Sequence, residues 1–564
     1  MKKTIALILA LIMVVSMFAG CDNTQPNGTS TPTESQNPTQ DAPTEPLESE
    51  TALKLSWQQA SGIDTLFESP HHDEQSLWPS MVFEPLAYYD AANNELIPAL
   101  ATEWTNNADY TEWTITIREG VKWHDGQPLT VEDVYWSLQD AMCNPKTRGF
   151  NFCNYVIGHQ EFKDGNVDHI EGISIVDGKI VVKLSQPTAL FAYSLLGVYI
   201  LPSHILGDLA WADVDSNDFW KKPIGTGPYV IDQVSFPDYF TLTRNDNYWG
   251  EPAGIKNVQF TSYATGGNDA AVAAVIAGDL DLAPRQIISD KGVADNIVAQ
   301  NSDVKTLMVS AFATRTFAFN LGERADGNVK EDLKNVKVRQ AISLLVDEDT
   351  IASFYLGQAT PAKTLVHPNG TEYNTDIPTV SKDVEAAKKL LDEAGFDYNQ
   401  TIDLAYYYDD QTTADVMQLI TQDFAEAGVK LNAFLLTGDL SAAIDIDCNY
   451  DILYFAGSST ANNQANFYSQ CTSDTAQTFM GQNEERGEIF DDLMNQYNAT
   501  ADAAERKDIS WKLQAAGYEH CYMFALYFMN NCVCYNTANL QIPEEIYSVD
   551  GNTYMRWNEW KILH

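Results

Sequence analysis

The chain is short of positive charge. Against 78 aspartates and glutamates it carries 34 lysines and arginines, a formal net charge of −44 over 564 residues. A nucleic-acid backbone calls for a basic surface, so this balance excludes nucleic acid as the expected partner. It fits solubility first and a preference for cationic ligands second. Cysteine is scarce too, with 8 in all. Apart from Cys21 there are Cys143, Cys153, Cys448, Cys471, Cys521, Cys532 and Cys534, an odd number that leaves at least one thiol unpaired. Cys143 with Cys153 is the expected local disulfide of an exported chain. Cys532-Val533-Cys534 lacks the two-residue gap of a redox motif or zinc knuckle and reads as apolar filler of a strand. Enzyme signatures are missing: there is no GxSxG elbow, no Walker A sequence, no GxGxxG and no HExxH. His71-His72 with Asp73 and Glu74 reads as a solvated acidic loop, because adjacent side chains on a strand diverge and make a poor ligand pair. No metal and no cofactor are expected.

Long hydrophobic runs are also lacking. Beyond the N-terminus no stretch reaches the roughly 18 apolar residues of a spanning helix. Residues 1–20 read as a secretory signal: Lys2 and Lys3, an uncharged run from Ile5 to Val15, then Ala19 and Gly20. Phe18-Ala19-Gly20-Cys21 resembles the lipobox of bacterial lipoproteins, with Phe18 where Leu, Val or Ile is commoner. That resemblance makes Cys21 the lipidated (palmitate-bearing) first residue of the mature chain. Residues 21–50 are Thr, Pro, Asn, Gln, Ser and acids, with Leu47 the one large apolar side chain. Such a segment buries too little to offset its ordering entropy, so a disordered tether is expected. From Thr51 the composition is globular to His564, with no second low-complexity break and hence no linker between domains.

The body mixes α and β. Trp113-Thr114-Ile115-Thr116-Ile117-Arg118 alternates as a half-buried strand does. Thr130, with Asp133 three residues on, predicts a capped helix carrying Val131, Val134, Tyr135 and Leu138 on one face. Ile173 to Leu184 predicts a hairpin closed by Asp177-Gly178. Ser381 is the expected cap of a helix bearing Val384, Ala387, Leu390, Leu391 and Ala394 that ends at Gly395. Ile452 to Ala456, after Asn449-Tyr450-Asp451, predicts a buried strand.

Four stretches then stand in order. Pro98 to Val134 contains IREGVKWHDG. Pro223 to Tyr229 (PIGTGPY) is followed by Arg244 to Gly250 (RNDNYWG). Phe319-Asn320 precedes Val336 to Ile342 (VKVRQAI) and Gly357 to Ala362 (GQATPA). Ala386 to Gly395 contains AKKLLDEAG and is followed by Gly428-Val429 and Tyr450-Asp451. Together they resemble family 5 of the extracellular solute-binding proteins, which includes the dipeptide- and oligopeptide-binding proteins of ABC transporters. From the residues alone these motifs read as scaffold: turns at Asp125-Gly126 and Gly225 to Pro228, an aromatic plug at Tyr248-Trp249-Gly250, and Arg339 as an ion-pair partner at the edge of a core.

The resemblance implies an α/β fold, a periplasmic-binding-protein type II-like two-lobe clamshell with an extra inserted subdomain. Lobe I would comprise residues 51–80, 201–310 and 526–564, the insertion 81–200 and lobe II 311–525. It further implies a monomer that captures a small solute by closing, and that hands it to ABC permease subunits. The lipid anchor would hold it on the extracellular face of a cell membrane, or in the periplasm of a Gram-negative envelope. Position in the family offers Ser61, Gly62, Asn320, Phe455, Ser458, Ser459, Asn462 and Asn463 as ligand contacts, and no catalytic residue. An oligopeptide is the expected cargo. The stretch from Phe455 to Asn463 has neither the acid nor the proline of the peptide binders, so a cationic peptide terminus would lose a partner. An oligosaccharide is therefore the alternative cargo, a sensory binder the alternative role, and a glycosidase resting on two carboxylates the alternative class.

Overall fold

A computed structural model describes residues 51–57, 77–90, 95–143, 155–194, 198–214, 216–263, 267–284, 287–288, 290–440, 442–458, 463–473, 484–543 and 554–564. Local sequence signals turn into structure directly. Glu112–Ile117 is a strand with Trp113 and Ile115 buried. The hairpin Ile173–Val176/Lys179–Lys183 turns on Asp177 and Gly178, at φ 49° and 74°, the two left-handed residues that a tight hairpin with right-handed strand twist requires. Val131–Cys143 is a helix with a reciprocal cap: Thr130 N–H donates to the Asp133 carboxylate at 2.8 Å, and Asp133 N–H to Thr130 Oγ at 3.3 Å. The helix Val384–Ala394 ends on Gly395 at φ 73°, but its cap is Asp383, not Ser381: the Asp383 carboxylate accepts from Ala386 N–H at 2.9 Å. Asp383 holds the position immediately before the first helical residue, which is where a side-chain oxygen reaches the free N–H groups.

Among the described residues the main sheet has 11 strands. Its path runs Lys430–Leu435, Thr401–Tyr406, Ile452–Ser458, Val304–Phe319, Met523–Asn536, Leu282–Ala283, Ala52–Trp57, Asn257–Ser262, Tyr239–Arg244, Tyr229–Ser235, with Ala359–Pro361 paired to Met523–Asn536 off the path. Two antiparallel strands at its centre, Val304–Phe319 and Met523–Asn536, are long enough to serve both halves.

Each of these crossover strands feeds two cores. Leu307, Val309, Val533 and Tyr535 pack with Leu53, Trp78, Tyr229, Phe260 and Trp560. Phe317, Phe319, Phe524 and Tyr527 pack with Ile342, Leu391, Val416, Ile420 and Tyr454. The change from one core to the other falls at an irregularity: Ser310 pairs with Asn530 but Ala313 with Met529, so residues 311 and 312 lie outside the register. A bulge bends and twists a strand locally, and here it sits where the chain passes from one core to the other. A third core, from Leu86 to Ile200, belongs to a separate four-stranded sheet, Ala101–Asn106, Glu112–Ile117, Lys179–Lys183 and Ile173–Val176 in that order.

Candidate functional site at the carboxyl edge of the second lobe

The sequence motifs of the first lobe close on one another. A β-carbon on Gly225 would stand 1.9 Å from the Val82 carbonyl oxygen, and one on Gly227 2.5 Å from that of Met81. Only glycine lets this corner pass the short helix Pro79–Val82. His124 locks the corner: its Nδ1 accepts from Gly225 N–H at 3.2 Å and its Nε2–H donates to the Gly227 carbonyl at 3.0 Å. Burial pulls its pKa from 6.5 down to about 4, so the ring is neutral. Tyr248 Oη and Trp249 Nε1 each donate at 2.6 Å to the Glu84 carboxylate. Burial pushes Glu84 up from 4.5 to about 7 against those hydrogen bonds. Arg118 stacks on Trp249, 4.3 Å from the ring centre. These motifs are scaffold, as their residue types predict.

The second-lobe motifs are scaffold as well. Asp451 pairs with Arg324 at 2.7 Å, and Arg324 also reaches Asp326 at 2.8 Å and Asp403 at 3.0 Å. Arg339 is held by backbone carbonyls. Its guanidinium donates to the carbonyls of His520 and Cys521, where the helix Ala503–His520 ends, and to those of Leu333 and Lys334, and it lies 4.6 Å over the Tyr522 ring.

Asn320 stands apart from the other candidate contacts. Its amide donates to the Cys448 and Tyr450 carbonyls at 3.1 and 2.9 Å and accepts from Gly322 N–H at 2.9 Å. It lies where Ile452–Ser458 begins, at the amino edge of the sheet, and its amide is fully engaged in holding the turn. Ligands of open α/β sheets bind outside the carboxyl ends of the strands.

That carboxyl edge faces the bulge. Thr401–Tyr406 and Ile452–Ser458 run parallel, and the last residue of the latter, Ser458, pairs with Ala313. Phe455 is on one face of this edge, buried and stacked on Phe467 at 6.2 Å. A β-carbon on Gly457 would meet that Phe467 ring at 1.6 Å, so glycine makes room for it. Asn463 accepts from Tyr497 Oη at 3.2 Å. Ser458 ends the strand. Ser61, Gly62, Ser459, Asn462 and Cys21 lie outside the described residues, as do His71, His72 and Cys153. Cys448, Cys471, Cys521, Cys532 and Cys534 are buried, the last two within Met523–Asn536.

The other face of the edge carries a group that sequence reasoning missed. Arg315 pairs in register with Ala456 on one side and Tyr527 on the other. Its guanidinium sits 4.0 Å over the Tyr408 ring. Tyr355 and Tyr454 both hydrogen-bond the Tyr527 hydroxyl, the former at 2.8 Å, and Tyr408 Oη donates to Tyr407 Oη at 3.1 Å. The signals were present: Tyr406 ends one strand with Tyr407 and Tyr408 directly after it, and Arg315 is the lone charge in Ala313 to Phe319.

The model of "Bacterial extracellular solute-binding proteins, family 5 Middle" matches residues 95–479. The chain belongs to this family. Family 5 is one of solute binders rather than enzymes, which removes the glycosidase alternative. Among curated relatives, a Brucella ovis protein named for ABC-transporter peptide binding is 26% identical over 360 residues, 63% of each chain. The nickel-binding periplasmic protein of Escherichia coli is 27% identical over 326 residues, 56% of each chain. The match thus spans less than two thirds of these relatives' length. Among solved structures, lactococcal OppA, complexed with an endogenous peptide in the closed conformation, superposes with TM-score 0.70 at 19% identity, covering 91% of this chain and 100% of that one. The fold is the two-lobe, type II periplasmic-binding-protein fold.

Proposed function

We propose that this family 5 protein is the substrate-binding component of an ABC importer, and that its cargo is a peptide. The observation that carries the reading is the pair of crossover strands. They join two independently cored lobes through a bulge, beside an edge lined by tyrosines and one arginine. Bending there lets a solute touch both lobes when they meet and one when they part, and that difference in contacts is what selects the closed form. ABC permease subunits then take the cargo from the closed protein. The peptide-binding name of the Brucella ovis relative supports peptides.

Cys21 completes the reading as the lipid-bearing residue after a cleaved signal, holding the protein on the extracellular face of the membrane. Cys21→Ser moves the protein from the membrane fraction to the soluble one; a variant that stays membrane-bound removes the anchor. Cargo class is tested by thermal shift with short peptides, xylo-oligosaccharides and nickel chelates. A ligand at a hundred times its Kd adds about 2.7 kcal/mol of stability. Stabilisation by sugars with peptides silent overturns the peptide reading.

A further inference from the structure

We propose that Arg315 is the seat for a carboxylate of the bound solute; this rests on the solute-binding reading above and gives it a ligand chemistry. Arg315 belongs to the second-lobe half of its crossover strand, three residues past the bulge that ends at residue 312. Tyr408, whose ring the guanidinium covers, lies two residues past the end of Thr401–Tyr406, where Tyr406 pairs with Tyr454, and Arg315 itself pairs with Ala456 two residues beyond Tyr454. The guanidinium therefore stands at the carboxyl edge of the sheet, where solutes of this sheet type bind.

Its surroundings fix its orientation without neutralising it. The Tyr408 ring lies 4.0 Å from the guanidinium carbon, and Tyr527 is its register partner, tied in turn to Tyr355 and Tyr454. Among the described residues Arg315 has neither an ion pair nor a hydrogen bond, although it is half-buried. By contrast Arg324, Arg339 and Arg506, the deeply buried arginines of the same lobe, are each held by several carboxylate or carbonyl oxygens. Of the acids just past Tyr408, Asp410 is engaged by Thr413 N–H and Oγ at 2.8 and 2.7 Å as a helix cap. A lone guanidinium held flat against an aromatic ring presents a planar fork of donors, the geometry that takes a carboxylate bidentately. In a chain of net charge −44 such a site is local, and its charge is opposite to that of the acid absent from Phe455 to Asn463. What the edge is built to hold is the acid end of a solute rather than its amine.

The test is calorimetric titration of the purified protein with trialanine and pentaalanine, each as free acid and as C-terminal amide, beside succinate, citrate and galacturonate. The expected result is that free acids bind at least about tenfold tighter than their amides, about 1.4 kcal/mol. Arg315→Gln erases that preference and Arg315→Lys keeps part of it. The comparison of acid with amide on the unmodified protein decides the matter even where Arg315→Gln unfolds. Equal binding of acid and amide overturns the proposal and leaves the peptide reading standing. Binding of succinate, citrate or galacturonate that requires Arg315, with both peptides silent, supports the seat and overturns the peptide reading. Failure of every carboxylate in this panel to saturate the protein overturns the seat.

Discussion

Glu84 and His124 titrate in opposite senses beside the same glycine corner. His124 has a folded pKa near 4 against 6.5 in the open chain. Between those values the unfolded state holds the extra proton, so its contribution to stability is full above pH 6.5 and is lost as pH falls through 4. Glu84 has a folded pKa near 7 against 4.5. Here the folded state holds the extra proton, so stability is lost as pH rises from 4.5 to 7. Each shift corresponds to about 3 kcal/mol at full extent. Chemical denaturation from pH 4 to 7 then separates the two. The Glu84→Gln variant gains stability with rising pH relative to the parent, and His124→Gln loses it. Parallel curves for the parent and both variants would contradict the assignments. At the same corner, Gly225→Ala forces a β-carbon to 1.9 Å from a carbonyl oxygen of the backbone, where no rotamer relieves the clash. It should cost about 3 kcal/mol, the upper range of overpacking, read from the denaturation midpoint.

At the scale of elements, caps carry the argument. Asp383→Ala removes the oxygen that accepts from Ala386 N–H and should cost about 1 kcal/mol, whereas Ser381→Ala should cost a few tenths at most. A larger loss from Ser381 would contradict the assigned cap. The helix itself was legible in its apolar spacing and in Gly395. Its start was not, because Ser381 and Asp383 are both good capping residues and the choice between them is made by where the first turn docks. Thr130 with Asp133 left no such ambiguity, since each needs the other's backbone. The hairpin at Asp177-Gly178 was legible for a similar reason: few dipeptides accept two positive φ angles. Arg315 was hidden in the sequence because its meaning is cross-strand. Tyr408, Tyr454 and Tyr527 lie 93, 139 and 212 residues downstream of it, and only the register of three strands puts them around it.

At the scale of the molecule, the order of short motifs carried the fold, while the site stayed largely out of reach. The motifs mark corners and interlocks: Gly225 against Val82, Tyr248 and Trp249 on Glu84, Asp451 on Arg324. Those interlocks are required whatever is bound, so they report architecture and are silent about cargo. Phe455 and Asn463, chosen by position, are engaged with Phe467 and Tyr497, and Asn320 belongs to the far edge of the sheet. The two lobes meet through the crossover strands, so solute capture should change the dimensions of the whole protein. The most direct test is therefore small-angle scattering of the purified protein during titration with the peptide that stabilises it most. The account predicts saturation at one peptide per chain with a fall in the radius of gyration that follows occupancy. Saturable binding with an unchanged radius would contradict closure, and the absence of saturable binding by any peptide, oligosaccharide or chelate would contradict the solute-binding role itself.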